Sequence, residues 1–207
     1  MTRRLLYSAA LVVFLAACGL TLASILVPRW ISWNSSTISG SPIHYTYGLH
    51  SRCSSLTKTC TYFPQDEDCH GEDRHFCSVW RSVGFLMSFA IVIEGMTLIA
   101  FIVMIIGSKQ KRESGWKILS GLLVLVGAIQ SSGMALIAYL YDNDDRFFPG
   151  WKLDISWIMC TASWSVMVLV GAGITTAALL LPSEGGYELI PDHPNEERSH
   201  HDVAEAS

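Results

Sequence analysis

Four stretches of this chain each run for more than twenty residues, and a single charged side chain falls among them all. They cover approximately residues 5–27, 83–106, 118–141 and 155–181, and the one charge is Glu94, in the second. A bilayer's hydrocarbon core is about 30 Å thick and a helix rises ~1.5 Å per residue, so ~20 apolar residues span it. Lipid offers no partner to a backbone amide, so each stretch must pair its own amides as a helix. Charged residues make up only 15% of the 207 residues, against roughly 25% in a soluble domain, and the deficit sits in these four blocks. The expected fold is an all-α membrane four-helix bundle whose first solvent partner is the lipid bilayer. A net charge of -4 offers no basic face for phosphates, so nucleic acid is excluded as a partner.

Arg3 and Arg4 ahead of an apolar run resemble a signal peptide, and Leu15-Ala16-Ala17-Cys18-Gly19 resembles a lipoprotein cleavage box. The run continues to Val27, beyond the ~7–15 residues of a signal core, so a retained first span is expected. Basic residues orient the spans. Lys109, Lys111, Arg112 and Lys117 crowd the link between spans two and three, whereas Asp142, Asp144, Asp145 and Asp154 outnumber Arg146 and Lys152 in the next link. Lys and Arg stay on the cytoplasmic side. A multi-pass plasma-membrane protein with both termini cytoplasmic follows: residues 1–4, 107–117 and 182–207 inside, and loops 28–82 and 142–154 outside.

The first outer loop carries Cys53, Cys60, Cys69 and Cys77. On an oxidising face these form two disulfides, with three possible pairings. The spacings lack the CxxC pairs of structural zinc sites, so no metal is assigned. Ile43-His44-Tyr45-Thr46-Tyr47 and Cys60-Thr61-Tyr62-Phe63 are rich in strand formers, and a polar turn lies between them from Ser54 to Thr59. A hairpin there places Cys53 opposite Cys60, so the expected pairs are Cys53–Cys60 and Cys69–Cys77. Asn34-Ser35-Ser36 is a glycosylation sequon close to the membrane. The acidic run Asp66, Glu67, Asp68, Glu72 and Asp73 lacks the ligand pattern of a calcium loop and is expected to be solvated.

Trp30 follows the first span, Gly48-Leu49-His50 lies in the loop, Cys53 and Cys60 come next, and Arg81 stands at the mouth of the second span. In that order these residues resemble the first extracellular loop of the claudin superfamily, which includes the claudins and the peripheral myelin and epithelial membrane proteins. Span count and loop lengths agree over residues 1–181. The resemblance is to a distant, fungal-type claudin-like member. His50 stands where the family has a second Trp, a second cysteine pair is added, and Ala204-Glu205-Ala206-Ser207 is not the hydrophobic end of many claudins. The resemblance implies a small extracellular antiparallel β-sheet in the first loop, with Trp30 packed into it. From the residues alone, Trp30 and Trp33 read as interfacial anchors. Arg81 reads either as an interfacial cation or as a tie that bonds sheet carbonyls.

Glu94 falls near the middle of span two, where a carboxylate costs on the order of 2.5–3.5 kcal/mol on insertion scales and so must face the bundle or carry a proton. Gln130, near the middle of antiparallel span three, is its expected partner. Gly84, Ser88, Gly127, Ser131, Ser132, Gly133, Gly171 and Gly173 are expected to let helices approach. The tail after Pro182 is polar, acidic and broken by Pro191 and Pro194, and is expected to lack regular structure.

No HExxH, Gly-rich phosphate loop or Ser/His or Cys/His pairing at one membrane depth occurs, so neither an enzyme nor a cofactor is expected. The expected role is structural: a claudin-like tetraspan at the cell surface, organising membrane or making cell–cell or cell-wall contact, through lateral self-association or other membrane proteins. The alternative is an ion channel or transport-related protein using the acidic outer loop and Glu94.

Overall fold

Apolar side chains point in every direction from each long segment, and the helices they form pack through only one face. The structure is a computed structural model that describes residues 2–35, 43–71, 74–107 and 114–180. Four helices form: α1 (Thr2–Leu26), α2 (Arg74–Ile106), α3 (Trp116–Asn143) and α4 (Ile155–Leu180). All four are long and apolar enough to cross a membrane. They close a ring in which α1 touches α2 and α4, and α3 touches the same two. On α2 the buried positions recur every three or four residues, through Trp80, Val83, Met87, Ala90, Glu94, Thr97 and Phe101. Its opposite face remains exposed yet equally apolar, with Phe85, Val92 and Ile99. A helix apolar all round suits hydrocarbon rather than water. The chain is a multi-pass membrane protein.

At one end of the bundle sits a five-stranded antiparallel sheet: β1 (Ile31–Ser35), β2 (Ile43–Tyr47), β3 (Ser51–Ser54), β4 (Thr59–Tyr62) and β5 (Trp151–Leu153). The order is β4-β3-β2-β1-β5. Here the sequence expectation needs correcting, because the sheet does not belong to the first loop alone: β5 comes from the loop between α3 and α4. It pairs with β1 through Ile31↔Leu153, Ser32↔Lys152 and Trp33↔Trp151. Three residues are too few to show an alternating pattern, so β5 leaves no trace in the sequence. The interior strand β1 was likewise not read as a strand. Ser32, Asn34 and Ser35 are poor strand formers, and pairing on both sides makes the segment extended regardless of propensity.

A second difference concerns α2, which begins at Arg74, well before the hydropathic boundary at 83. Arg74, His75, Ser78 and Arg81 dilute the hydropathy there, but Phe76, Trp80, Val83 and Met87 continue one helical stripe. Of its 33 residues, the nine that precede 83 stand ~14 Å beyond the hydropathic span. That projection meets the sheet.

The core has two parts. One cluster joins sheet to helices through Trp30, Ile31, Leu49, Phe63, Phe76, Trp80, Val83, Met87 and Ile137. The other fills the far half of the bundle with Tyr7, Phe14, Phe101, Leu119, Leu123 and Met167. Residues 182–207, most of the link 107–117, Ser36 of the sequon, and Glu72 and Asp73 of the acidic run lie outside the described residues.

Candidate functional site: a sheet–bundle seam above a buried polar layer

Trp30 leaves α1 directly beneath the sheet and is fully buried. Its indole Nε1 donates to Ser24 O at 2.8 Å, and its backbone N–H donates to Tyr47 O at 2.8 Å. One residue thus bonds the last turn of α1 and the second strand together. Of the two readings of Trp30, packing into the sheet holds and surface anchoring does not. Burial also makes the indole bond worth more than it would be in water, because an unpaired N–H here would find no solvent. Trp33, three residues on, is half-buried against Tyr45, Phe148 and Trp151.

Gly48 and Leu49 form the turn between β2 and β3. A Cβ on Gly48 would lie 2.5 Å from Pro28 Cα, inside any tolerable contact, so this is a position where only glycine fits. Leu49 is buried, and its carbonyl accepts from Trp80 Nε1 at 3.3 Å. Trp80 therefore makes the kind of tie drawn above for Arg81. Arg81 itself is exposed on α2. Gly84, expected in helix packing, lies instead beneath this turn: a Cβ there would meet His50 Cε1 at 3.4 Å and Leu49 at 3.9 Å.

The second loop is fastened at the same seam. Asp154 N donates to Trp30 O at 2.9 Å, Ser156 N to Arg29 O at 3.1 Å and Ser156 Oγ to Val27 O at 2.8 Å. Arg29 grips Asp154 through two guanidinium bonds, at 2.9 and 3.3 Å. Tyr141 at the end of α3 donates to Trp151 O at 2.7 Å. Around these bonds Tyr47 gathers Phe63, Trp80, Phe147 and Trp151 at centroid distances of 5.0 to 6.5 Å. The Arg146 guanidinium lies 4.3 Å over the Phe76 ring, a cation–π contact worth about 0.5–2 kcal/mol. Burial pushes the Tyr47 phenol above its ordinary value, and the nearby Arg52 and Arg146 charges pull the other way.

Cys53 and Cys60 face each other in register across β3 and β4 and are joined, and Cys69 is joined to Cys77. The second bond links a short 3-10 helix (Asp66–Cys69) to the first turn of α2. Within the acidic run, Asp68 bonds Arg52 at 3.0 Å and caps Gln65 N at 3.3 Å. Asn34 stands opposite His44, and their side chains are hydrogen-bonded.

Beneath the seam, each helix contributes one polar side chain to a buried layer. Gln130 Nε2 donates to Glu94 Oε1 at 2.8 Å, as expected, and also to Thr21 Oγ1 at 2.9 Å. Thr21 donates its hydroxyl to the same carboxyl oxygen at 2.8 Å and lies 2.7 Å from Ser163 Oγ. Ser163 reaches Ala17 O at 2.9 Å. Each hydroxyl has one hydrogen: with Thr21's on Glu94, its two lone pairs accept from Gln130 and from Ser163, and Ser163 then has no hydrogen left for Ala17 O. The cluster lies between the two apolar halves of the core. Five residues separate Thr21 from the end of α1 and eight separate Ser163 from the start of α4, which places it ~10 Å below the sheet.

Thr21 and Ser163 were missed in the sequence. Hydroxyls in apolar helices commonly bond their own preceding turn, and Thr21 lies within 3.2 Å of Ala17 O, so nothing marks these two as different. Ser131 and Ser132 show the opposite error: they bond Ala128 O on their own helix and face outward. Gly127, Gly133 and Gly171 do lie at helix contacts, against Val168, Met87 and Leu123, whereas Gly173 meets nothing within 4 Å.

The motif residues Trp30, Gly48 and Leu49 thus converge on one seam, with Arg81 on the adjoining surface of α2. The Cys53–Cys60 bond lies farther out on the sheet. Comparison with models of protein families and with curated proteins finds no match to this chain.

Proposed function

We propose that this protein is a claudin-like tetraspan with a structural or interaction role at the surface of the plasma membrane, its sheet outside the cell and both termini inside. One observation carries this reading: segments from both loops on the sheet side are hydrogen-bonded into a single sheet, which the motif residues fasten to the helices. Such a construction presents a rigid surface to neighbours. Exposed positions are abundant on it, including Leu56, Tyr62 and Phe148. Lateral self-association or contact with other membrane proteins is the interaction this surface suits.

Ion transport is the second reading, and its chemistry is less well supported. Glu94 is only 4% exposed, and its carboxyl accepts from two side chains. A group that feeds ions along a path needs an opening on each side, and here apolar clusters lie above and below it. Asp68 of the acidic run is engaged with Arg52.

Purified protein in liposomes should show no ion flux, while chemical crosslinking in cells should yield lateral arrays. Flux that disappears in Glu94→Gln would transfer support to the transport reading. Orientation is tested separately: after mild reduction, an impermeant thiol reagent should label Cys53 and Cys60 in intact cells. Labelling that requires permeabilisation would invert the assignment.

A further inference from the structure

Two grooves run along α2 and share Arg81, and the sheet overhangs the smaller of them. The larger, of about 820 Å³, is lined by His70, Arg74, Ser78, Arg81, Ser82 and Phe85 among others. The smaller, of about 210 Å³, lies between the His50 turn, Tyr62 and the same helix, and shares Arg81 and Phe85. Among the described residues, neither lining contains a carboxylate.

Helix geometry orders these residues by depth. Arg74, Ser78, Arg81, Ser82, Phe85 and Phe89 follow at spacings of four, three, one, three and four, and all are exposed. Seven residues place Arg74 ~10 Å above Arg81 on the same face. Below them Phe85, 69% exposed, stacks on Phe89 at a centroid distance of 6.1 Å with nearly parallel rings. The stripe therefore runs from Arg74, ~14 Å beyond the hydropathic span, through Ser78 to Arg81 and Ser82 at its end, and then to an aromatic pair level with hydrocarbon. Arg81 also interacts within the chain, so its fork is shared, and Arg74 supplies a second.

We propose that this face binds a single anionic phospholipid of the leaflet on the sheet side. Its phosphate would sit against Arg74 and Arg81, with Ser78 or Ser82 donating a further hydrogen bond, and one acyl chain would lie along Phe85 and Phe89. Guanidinium forks match phosphate oxygens, and charge-assisted bonds of this kind are the strong ones. A free anion satisfies only the upper half of the stripe and an uncharged lipid only the lower half. The phospholipid satisfies both.

The test uses the full chain, delipidated in detergent, with native mass spectrometry to count retained lipid and thermal melts to report stabilisation. Phosphatidylglycerol should be retained at one copy and raise the melting temperature by several degrees. Dioleoylglycerol and inorganic phosphate should do neither. Arg74→Gln/Arg81→Gln should weaken phosphatidylglycerol retention by ~10-fold or more, while Lys117→Gln, at the opposite end of the bundle, should leave it unchanged. Equal retention of dioleoylglycerol would reduce the face to plain acyl packing. An equal shift with inorganic phosphate would make it an anion site. Either result, or undiminished retention in the double variant, overturns the proposal. Should the double variant not fold, Arg74→Gln alone, at an exposed first-turn position, should weaken retention at least ~3-fold, and no change there is equally decisive against it.

Discussion

Gly48 shows how narrowly a single residue can be constrained. The β2–β3 turn rests on Pro28 so closely that a methyl group has nowhere to go: the contact at 2.5 Å is with backbone, which cannot rotate aside. Gly48→Ala should cost ~1–3 kcal/mol by displacing the turn, seen as a lower melting temperature in detergent, whereas Gly173→Ala, with open space around it, should not. Tyr47 makes a different prediction. Burial raises its phenol above the ordinary value of 10.0, so the folded state holds the proton more tightly than the unfolded chain does. The stability this contributes is complete below pH ~10 and is lost as pH climbs from there through the folded value. Alkaline unfolding of the sheet, followed by near-ultraviolet circular dichroism, should shift upward in Tyr47→Phe. At this scale the sequence was partly legible. Gly48 could be picked out through a motif, but its reason, a distant proline backbone, appears only in three dimensions. Nothing local could separate Thr21 from any other hydroxyl in an apolar helix.

Among the elements, those with a strong local period were readable and those made by their neighbours were not. The four spans declare themselves by length and apolarity. Strand β2 declares itself by composition, and the β3–β4 hairpin by its polar turn. Strands β1 and β5 exist because each offers the other a ladder of hydrogen bonds, a condition invisible to any short window. The early start of α2 was legible in principle, since Phe76 and Trp80 keep the helical stripe, but a hydropathy threshold discards them along with the arginines between. The Cys53–Cys60 bond belongs to this scale too, because it closes a turn of few residues at the sheet's edge. Cys53→Ala/Cys60→Ala should remove ~2–3 kcal/mol from the hairpin and leave the helices intact. Faster amide exchange confined to residues 51–62 is the expected signature. Exchange spreading into α1 or α4 would show that the hairpin supports more of the molecule than its contacts indicate.

For the molecule as a whole, the polar layer is the feature that engages all four helices at one level. Removing Gln130's amide strips two donors from it at once and leaves Glu94 with less compensation for burial. Gln130→Leu should lower stability by ~1–2 kcal/mol, measured as a melting temperature several degrees lower in detergent. Ser132→Leu, on the outward face of the same helix, should be neutral, and an unchanged Gln130→Leu melt would deny the layer its role. The layer also fixes the relative heights of the helices, since donors and acceptors at 2.7 to 2.9 Å tolerate no slip of a turn between them.

Strands β1 and β5 are neighbours in space, yet more than a hundred residues separate them along the chain. During synthesis β1 must therefore wait, with one flank bare, until two more helices have been made and threaded into the membrane. Unfinished strand flanks invite pairing with whatever strand is nearby. A ribosome stalled after α3 would release a chain that looks largely complete by mass but exposes a sticky ribbon. Quality control of this protein should accordingly be most exacting just before its last helix arrives.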